Sequence, residues 1–225
     1  MEKSKLWYLE NFNLLKGLTK DQMMYFGQKA SMKKFNKNEF IYFPNELSDK
    51  IFLLKQGQIK IGMYTDDGRE ILKAVLHAGE IFGEMSLTGE DKRGDFAQAI
   101  QDDVILCVFD INVVEEMIHQ NPNLSLEITK IIGFRLKKVE NKLAALVFKD
   151  ARSRIVDFLK DQGEEHGKAV GYETLIMNNL THKDIASLTA TSRQTVTTVL
   201  NDLRSQNLIY FDRRRILIRD MDKLV

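Results

Sequence analysis

The spacing of apolar residues changes period twice along the chain, and each change marks a different kind of element. Trp7, Leu9, Phe12, Leu14 and Leu15, followed by Met23, Met24 and Phe26, recur at helical steps and predict short N-terminal helices. Near Met32 the pattern shortens to the alternating runs FIYF, IFLLKQGQIKIGMY, EILKAVLH, FAQAI and VILCVFD. Such alternation suits strands with one face buried, and Asn, Asp and Gly separate the runs. Asp66-Asp67-Gly68 is a hairpin signal, because glycine enters the left-handed backbone region that tight turns require. Many short strands at this spacing predict an antiparallel barrel or roll.

From Asn121-Pro122 the period lengthens again. Leu124, Ile128, Ile132, Leu136, Val139, Leu143 and Leu146 form one stripe at steps of three and four, with Lys, Arg and Glu between them, which predicts a single long helix. A narrow apolar seam with charged flanks more often meets a copy of itself than a core, so this helix is expected to join a homodimer. Lys149-Asp150-Ala151 breaks the seam, and a new amphipathic helix starts at Arg152 with Ile155, Val156, Phe158 and Leu159. The chain therefore reads as N-terminal helices and a roll over 1–121, a dimerisation helix and hinge over 122–150, and a C-terminal domain over 151–225.

Composition adds bounds to this picture. A chain of 225 residues with 44% hydrophobic and 29% charged residues has the make-up of a folded globular protein of two domains. The N-terminal segment mixes Lys and Glu into its apolar residues, and no run reaches the roughly 18 apolar residues of a membrane span, so a cytoplasmic protein with no membrane partner is expected. The single cysteine, Cys107, falls in VILCVFD, where a small buried residue is expected, and it cannot form an internal disulfide. The net charge of +1 argues against a nucleic-acid partner until it is resolved along the chain. Between Thr181 and Arg219, seven basic residues (Lys183, Arg193, Arg204, Arg213, Arg214, Arg215 and Arg219) face three acidic ones (Asp184, Asp202 and Asp212). That local excess of four positive charges is where a phosphate backbone would dock.

The same segment carries the layout of a helix-turn-helix. Thr181 is placed to cap a first helix from Lys183 to Leu188, and Thr191-Ser192 to cap a second from Arg193 to about Ser205. The first residues of the second helix would enter the major groove: Arg193, Gln194, Thr197 and Thr198 are polar, while Val196, Val199, Leu200 and Leu203 fall on the opposite, core-facing side. Arginine is shaped for guanine O6 and N7, glutamine for adenine N6 and N7, and threonine for phosphate or a thymine methyl. Thr181, Lys183 and Ser192, at the helix starts, are candidate backbone contacts. Leu208–Phe211 and Ile216–Ile218 flank Asp212-Arg213-Arg214-Arg215, predicting a wing whose basic tip meets double-stranded DNA.

On these residues the chain resembles the family of the cyclic AMP receptor protein and the fumarate and nitrate reduction regulator (CRP/FNR) over nearly its whole length. One anchor is LTHKDIASLTATSRQTVTTVLNDLRSQNLI, similar to the family's helix-turn-helix signature. The other is QGQIKI…DDGREI…AGEIFGEM…R, similar to its cyclic-nucleotide-binding roll, with Gly57, Gly68, Gly79 and Gly83 at the turns. The resemblance implies an α+β fold: an N-terminal β-roll of the cyclic-nucleotide-binding jelly-roll type, a long dimerisation helix and a C-terminal winged helix-turn-helix. It implies a homodimeric transcription regulator on a palindromic operator, with RNA polymerase as a protein partner.

In the family the roll holds a cyclic nucleotide through a short helix N-terminus, a glutamate and an arginine, and the matching positions here are Gly83, Glu84, Met85 and Arg93. Two departures follow. Arg93 precedes Gly94 and Asp95 rather than a small hydroxyl residue and an alanine, so a phosphate loses a donor and gains a negative neighbour that could pair with Arg93. On the long helix Val139 and Glu140 stand where the cyclic-AMP-binding member has a hydroxyl pair. These changes argue against tight cyclic AMP binding. An iron–sulfur cluster would need N-terminal cysteines that the sequence lacks, and His77, a lone histidine at a strand end, is expected as polar surface rather than as a haem ligand.

Enzyme readings find no support: the histidines at 77, 119, 166 and 182 lack metal-ligand spacing, and the chain carries no Walker loop, G-x-S-x-G elbow or dinucleotide fingerprint. No catalytic or metal-binding set is expected. A rival reading, in which the roll regulates a protein partner, leaves the helix-turn-helix segment unexplained.

Overall fold

The computed structural model describes residue 12, residues 15–212 and residues 214–224. The sequence-predicted helical positions Trp7, Leu9 and Leu14, and Arg213 of the wing, lie outside the described residues. The chain divides into two compact units, Met1–Lys137 and Lys138–Val225, a division that falls inside the long helix.

The first unit opens with α1 (Lys20–Lys29), started by a reciprocal cap in which Thr19 Oγ1 accepts from the Gln22 N–H and Gln22 Oε1 accepts from the Thr19 N–H. Eight strands follow: β1 (Ser31–Phe35), β2 (Phe40–Tyr42), β3 (Lys50–Gln56), β4 (Gln58–Tyr64), β5 (Glu70–His77), β6 (Ile81–Phe82), β7 (Phe96–Ala99) and β8 (Val104–Asp110). They form two four-stranded antiparallel sheets, ordered β1-β8-β3-β6 and β2-β7-β4-β5. The turn at Asp66-Asp67-Gly68 joins β4 to β5, with Gly68 at φ +78°.

The period-two pattern explains how β3 and β8 serve two cores at once. Ile51 and Leu53, with Cys107 and Phe109, point to a helical layer containing Phe26, Met117, Leu124 and Ile128. Phe52 and Leu54, with Val104, Leu106 and Val108, point the other way into the roll, where Tyr42, Ile59, Leu76 and Phe82 pack. Cys107 is fully buried, as its neighbours predict.

The helical layer includes α2 (Ile111–Gln120), which the sequence pattern hides because its apolar residues follow those of β8 with only Asp110 between them. Asn121 ends α2, and Pro122 starts α3 (Pro122–Phe148), a 27-residue helix. Its first turns bury Leu124 and Ile128, while Leu136, Val139 and Leu143 are 58%, 61% and 63% exposed.

In the second unit, α3 ends at Phe148 and α4 (Ala151–His166) begins at Asp150, whose carboxylate accepts from the Ser153 N–H at 2.8 Å. After α4 come β9 (Lys168–Val170), β10 (Glu173–Met177), α5 (His182–Leu188), α6 (Arg193–Ser205), β11 (Ile209–Phe211) and β12 (Arg215–Ile218). The wing is larger than the sequence suggests: β11 and β12 extend into a four-stranded sheet, β11-β12-β10-β9. Ile155, Leu159, Ile185, Val196, Leu200, Leu203 and Ile218 are buried in this unit and orient α6 against its core.

Candidate nucleic-acid interface and effector site

Two caps and a turn build the helix-turn-helix. Thr181 Oγ1 accepts from the Asp184 N–H at 3.1 Å, and Asp184 Oδ2 accepts from the Thr181 N–H at 2.8 Å and from its hydroxyl at 2.7 Å. Ser192 Oγ accepts from the Thr195 N–H at 3.0 Å and starts α6. Between the helices Ala190 sits at φ +50°, in the left-handed region. Arg154 of α4 holds that turn, donating to Thr189 O at 2.9 Å and Ala190 O at 3.0 Å, and also to Lys149 O at 2.7 Å. Sequence reasoning missed Arg154, because its partners are carbonyls up to 36 residues away.

The faces of α6 divide as its pattern predicts. Val196, Val199, Leu200 and Leu203 are buried, while Arg193, Gln194 and Thr198 are exposed. Thr197 is half-buried and its hydroxyl is committed: it donates to Arg193 O at 3.0 Å and meets His182 Nδ1 at 2.8 Å. What Thr197 can offer a base is therefore its methyl group. Lys183, next to the first cap, is exposed.

At the wing, Asp212 organises the turn. Its Oδ1 accepts from the N–H groups of Arg214 at 2.8 Å and Arg215 at 2.9 Å, and its Oδ2 takes the Arg215 guanidinium in a fork, with Nε at 3.1 Å and Nη2 at 2.9 Å. These donors, the Arg214 N–H foremost, hold the Asp212 carboxyl below its ordinary range. Arg215 is thus partly neutralised, whereas Arg214 stands exposed at the tip.

In the first unit the residues around Arg93 come together, but around one another. Arg93 is 4% exposed; it donates to Lys50 O at 2.7 Å, and its guanidinium lies 4.2 Å from the Tyr42 ring centroid and 5.3 Å from that of Phe52. Gly83, at φ +80°, caps a short 3-10 helix over Glu84–Thr88, and a Cβ there would lie 2.7 Å from Lys50 O and 3.1 Å from Arg93 Nη1. Only glycine fits that backbone and that gap.

Glu84 is held by Arg135 of α3, which also donates to Ile81 O. Ser86, which no sequence motif singles out, is buried and shares a 3.0 Å hydrogen bond with Ser48. Asp95 does not pair with Arg93, against the expectation from sequence. The bend at Gly94-Asp95 turns it to Lys73 Nζ at 2.9 Å and the Tyr42 hydroxyl at 3.1 Å. Burial, then the Asp95 charge, pushes the Tyr42 hydroxyl far above its ordinary value. Met85 and Gly94 are exposed, and Val139 and Glu140 are exposed positions of the second unit.

A β-roll framing a buried arginine, in one chain with a winged helix-turn-helix that exposes arginine and glutamine on its second helix, defines the class of DNA-binding regulators that carry a cyclic-nucleotide-binding-like roll. Residues 32–121 match the family model of the cyclic nucleotide-binding domain, and residues 153–225 match that of the Crp-like helix-turn-helix domain. The chain is 27% identical over 190 residues to a CRP-like cAMP-activated global transcriptional regulator of Mycobacterium tuberculosis, covering 84% of each protein. It is 29% identical over 188 residues to the global nitrogen regulator of a Nostoc species, covering 83% of this chain and 84% of that one. A solved structure of a CooA mutant from Carboxydothermus hydrogenoformans matches with a TM-score of 0.75 at 26% identity, over 100% of this chain and 95% of the other. The chain belongs to the CRP/FNR family and is a DNA-binding transcription regulator of that type. The reading of the roll as a module for a protein partner alone is not favoured, since it leaves the match over 153–225 without a role.

Proposed function

We propose that the protein acts as a homodimer joined along α3, presenting its two α6 helices about 34 Å apart to successive major grooves of a palindromic operator. The observation that carries this reading is the division of α6, with Arg193, Gln194 and Thr198 exposed on one face and four apolar residues buried on the other. Arg193 reads guanine, Gln194 adenine, and Thr198 a thymine methyl or phosphate. Lys183, Arg214 and the helix starts at Thr181 and Ser192 meet the backbone, with Arg213 adding charge and Arg215 chiefly shaping the wing. The exposed seam of α3 supports the dimer, because apolar side chains in such a row gain by covering one another.

The effector part of the proposal is that the roll does not bind cyclic AMP tightly. Its supports are the Arg93 guanidinium already spent on Lys50 O and two aromatic faces, the Glu84 carboxylate held by Arg135, and the Tyr42, Phe52 and Phe82 rings filling the interior. A cyclic nucleotide would have to displace these bonds before making its own. The regulator further works in the cytoplasm without catalysis, iron–sulfur cluster or haem, and meets RNA polymerase as its family does. Among the described residues no helix is long and apolar enough to cross a membrane.

Two variants test the DNA contacts. Arg193→Ala should erase the preference for operator over random DNA, at about 1–3 kcal/mol per half-site. Arg214→Ala should weaken binding to all sequences and flatten the salt dependence by about one released counterion for each phosphate it no longer neutralises. Affinities measured on both DNAs across a salt series check this, and operator binding left unchanged in both variants would overturn it.

A further inference from the structure

His182, the first residue of α5, lies between two candidate backbone contacts, Thr181 and Lys183, yet its ring is aimed at the recognition helix. The hydrogen-bond roles there follow from counting protons. The Thr197 hydroxyl has one proton, and Thr197 Oγ1 lies 3.0 Å from Arg193 O and 2.8 Å from His182 Nδ1; with that proton on Arg193 O, the tautomer that satisfies both contacts is the one in which His182 Nδ1 donates and Thr197 Oγ1 accepts. A neutral imidazole that donates from Nδ1 carries a bare lone pair on Nε2. No described protein group bonds Nε2, and it reaches solvent at the helix-turn-helix surface. A lone pair facing a phosphate oxygen is repelled; the same nitrogen protonated is a charged donor.

We infer that His182 is a proton-linked phosphate contact: DNA binding adds a proton at Nε2, while the Nδ1 bond to Thr197 keeps the ring, and with it the Thr197 methyl, in register with α6. This rests on the DNA-binding reading of the same surface. The groups facing the ring favour its neutral form in the free protein. Arg193 on α6 is the nearby cation; on the β11 side the ring meets the edge of Phe211 at 6.2 Å, over which Arg204 lies at 5.0 Å; on its own helix Lys183 follows and Asp184 is turned into the Thr181 cap. Burial first, and then Arg193, hold the His182 pKa below its ordinary value. A phosphate opposes both effects and raises the pKa in the complex. Affinity therefore climbs as pH falls from the bound-state pKa to the free-state pKa, and is flat on either side.

The experiment uses the full-length protein and an operator selected from random DNA. Between pH 8 and pH 6 the wild type should gain about three- to tenfold in affinity, the span of up to one proton taken up over a window of about a unit. His182→Gln, which can still donate to Thr197 but does not titrate, should keep the sequence preference and lose the pH dependence. His166→Gln should keep both. In parallel, NMR titration of the wild-type histidines should show the His182 pKa rising when operator is added. A wild-type profile that His182→Gln reproduces, or a His182 pKa unmoved by operator, overturns the inference even if the variant folds poorly, because the second readout needs no variant. Absence of any operator binding would instead contradict the DNA-binding reading itself.

Discussion

Arg93 shows how a residue can stand in a family's ligand position and still act in the fold. Its charge is buried, its hydrogen-bonding capacity is given to Lys50 O, and its flat faces lie on Tyr42 and Phe52. Arg93→Met keeps much of the volume and leaves that carbonyl without its donor, so it should lower stability by about 1.5–3 kcal/mol, read from denaturant unfolding. The same variant should match the wild type in calorimetric titration with cyclic AMP, neither giving a strong binding heat. A stable variant that had lost a strong heat present in the wild type would return Arg93 to the role of ligand contact. The sequence picked out Arg93, Glu84 and Gly83, but not what they touch. Lys50, Tyr42 and Arg135 lie 43, 51 and 51 positions from their partners Arg93 and Glu84, and no local pattern encodes such pairs. The one pairing inferred from proximity, Arg93 with Asp95, failed because the bend at Gly94-Asp95 sends the two side chains to different partners.

At the scale of elements, legibility followed the strength of the boundaries. α5 and α6 were readable because Thr181 and Ser192 are true caps with bonded side chains, and because the apolar face of α6 repeats at helical steps. β9 and β10 were not: β9 is three residues long and exposed throughout, so it has no alternation to read. The seam of α3 was legible in full, and the structure adds where it is used. Its first turns are spent on the core of the first unit through Leu124 and Ile128, leaving Leu136, Val139 and Leu143 exposed. A charge in that exposed row should be far more harmful to self-association than to the fold of one chain. Leu143→Asp is expected to give a monomer by sedimentation, with thermal unfolding of the helix-turn-helix domain little changed and operator affinity down at least a hundredfold, since a single half-site remains. A variant that stays dimeric would place the interface elsewhere.

At the scale of the whole molecule, the chain divides into two compact units after Lys137, inside α3, a point the sequence period does not mark because the apolar seam runs unbroken from Leu124 to Leu146. Net charge, at +1, said nothing of the DNA-binding half, because acidic residues elsewhere balance it and because Asp212 and Asp202 are themselves bonded to Arg215 and Arg152. The charge the proposed DNA contacts draw on is the set Arg193, Lys183 and Arg214, each exposed, and its arrangement in duplicate is what the dimer would add. The most direct measurement is therefore selection of bound sequences from a random double-stranded DNA pool by the full-length protein. An enriched palindrome is expected, its half-sites centred about one helical turn apart and each with a guanine opposite Arg193. Recovery of unenriched DNA, or of a single half-site without a symmetric partner, would contradict a dimer that reads DNA through α6.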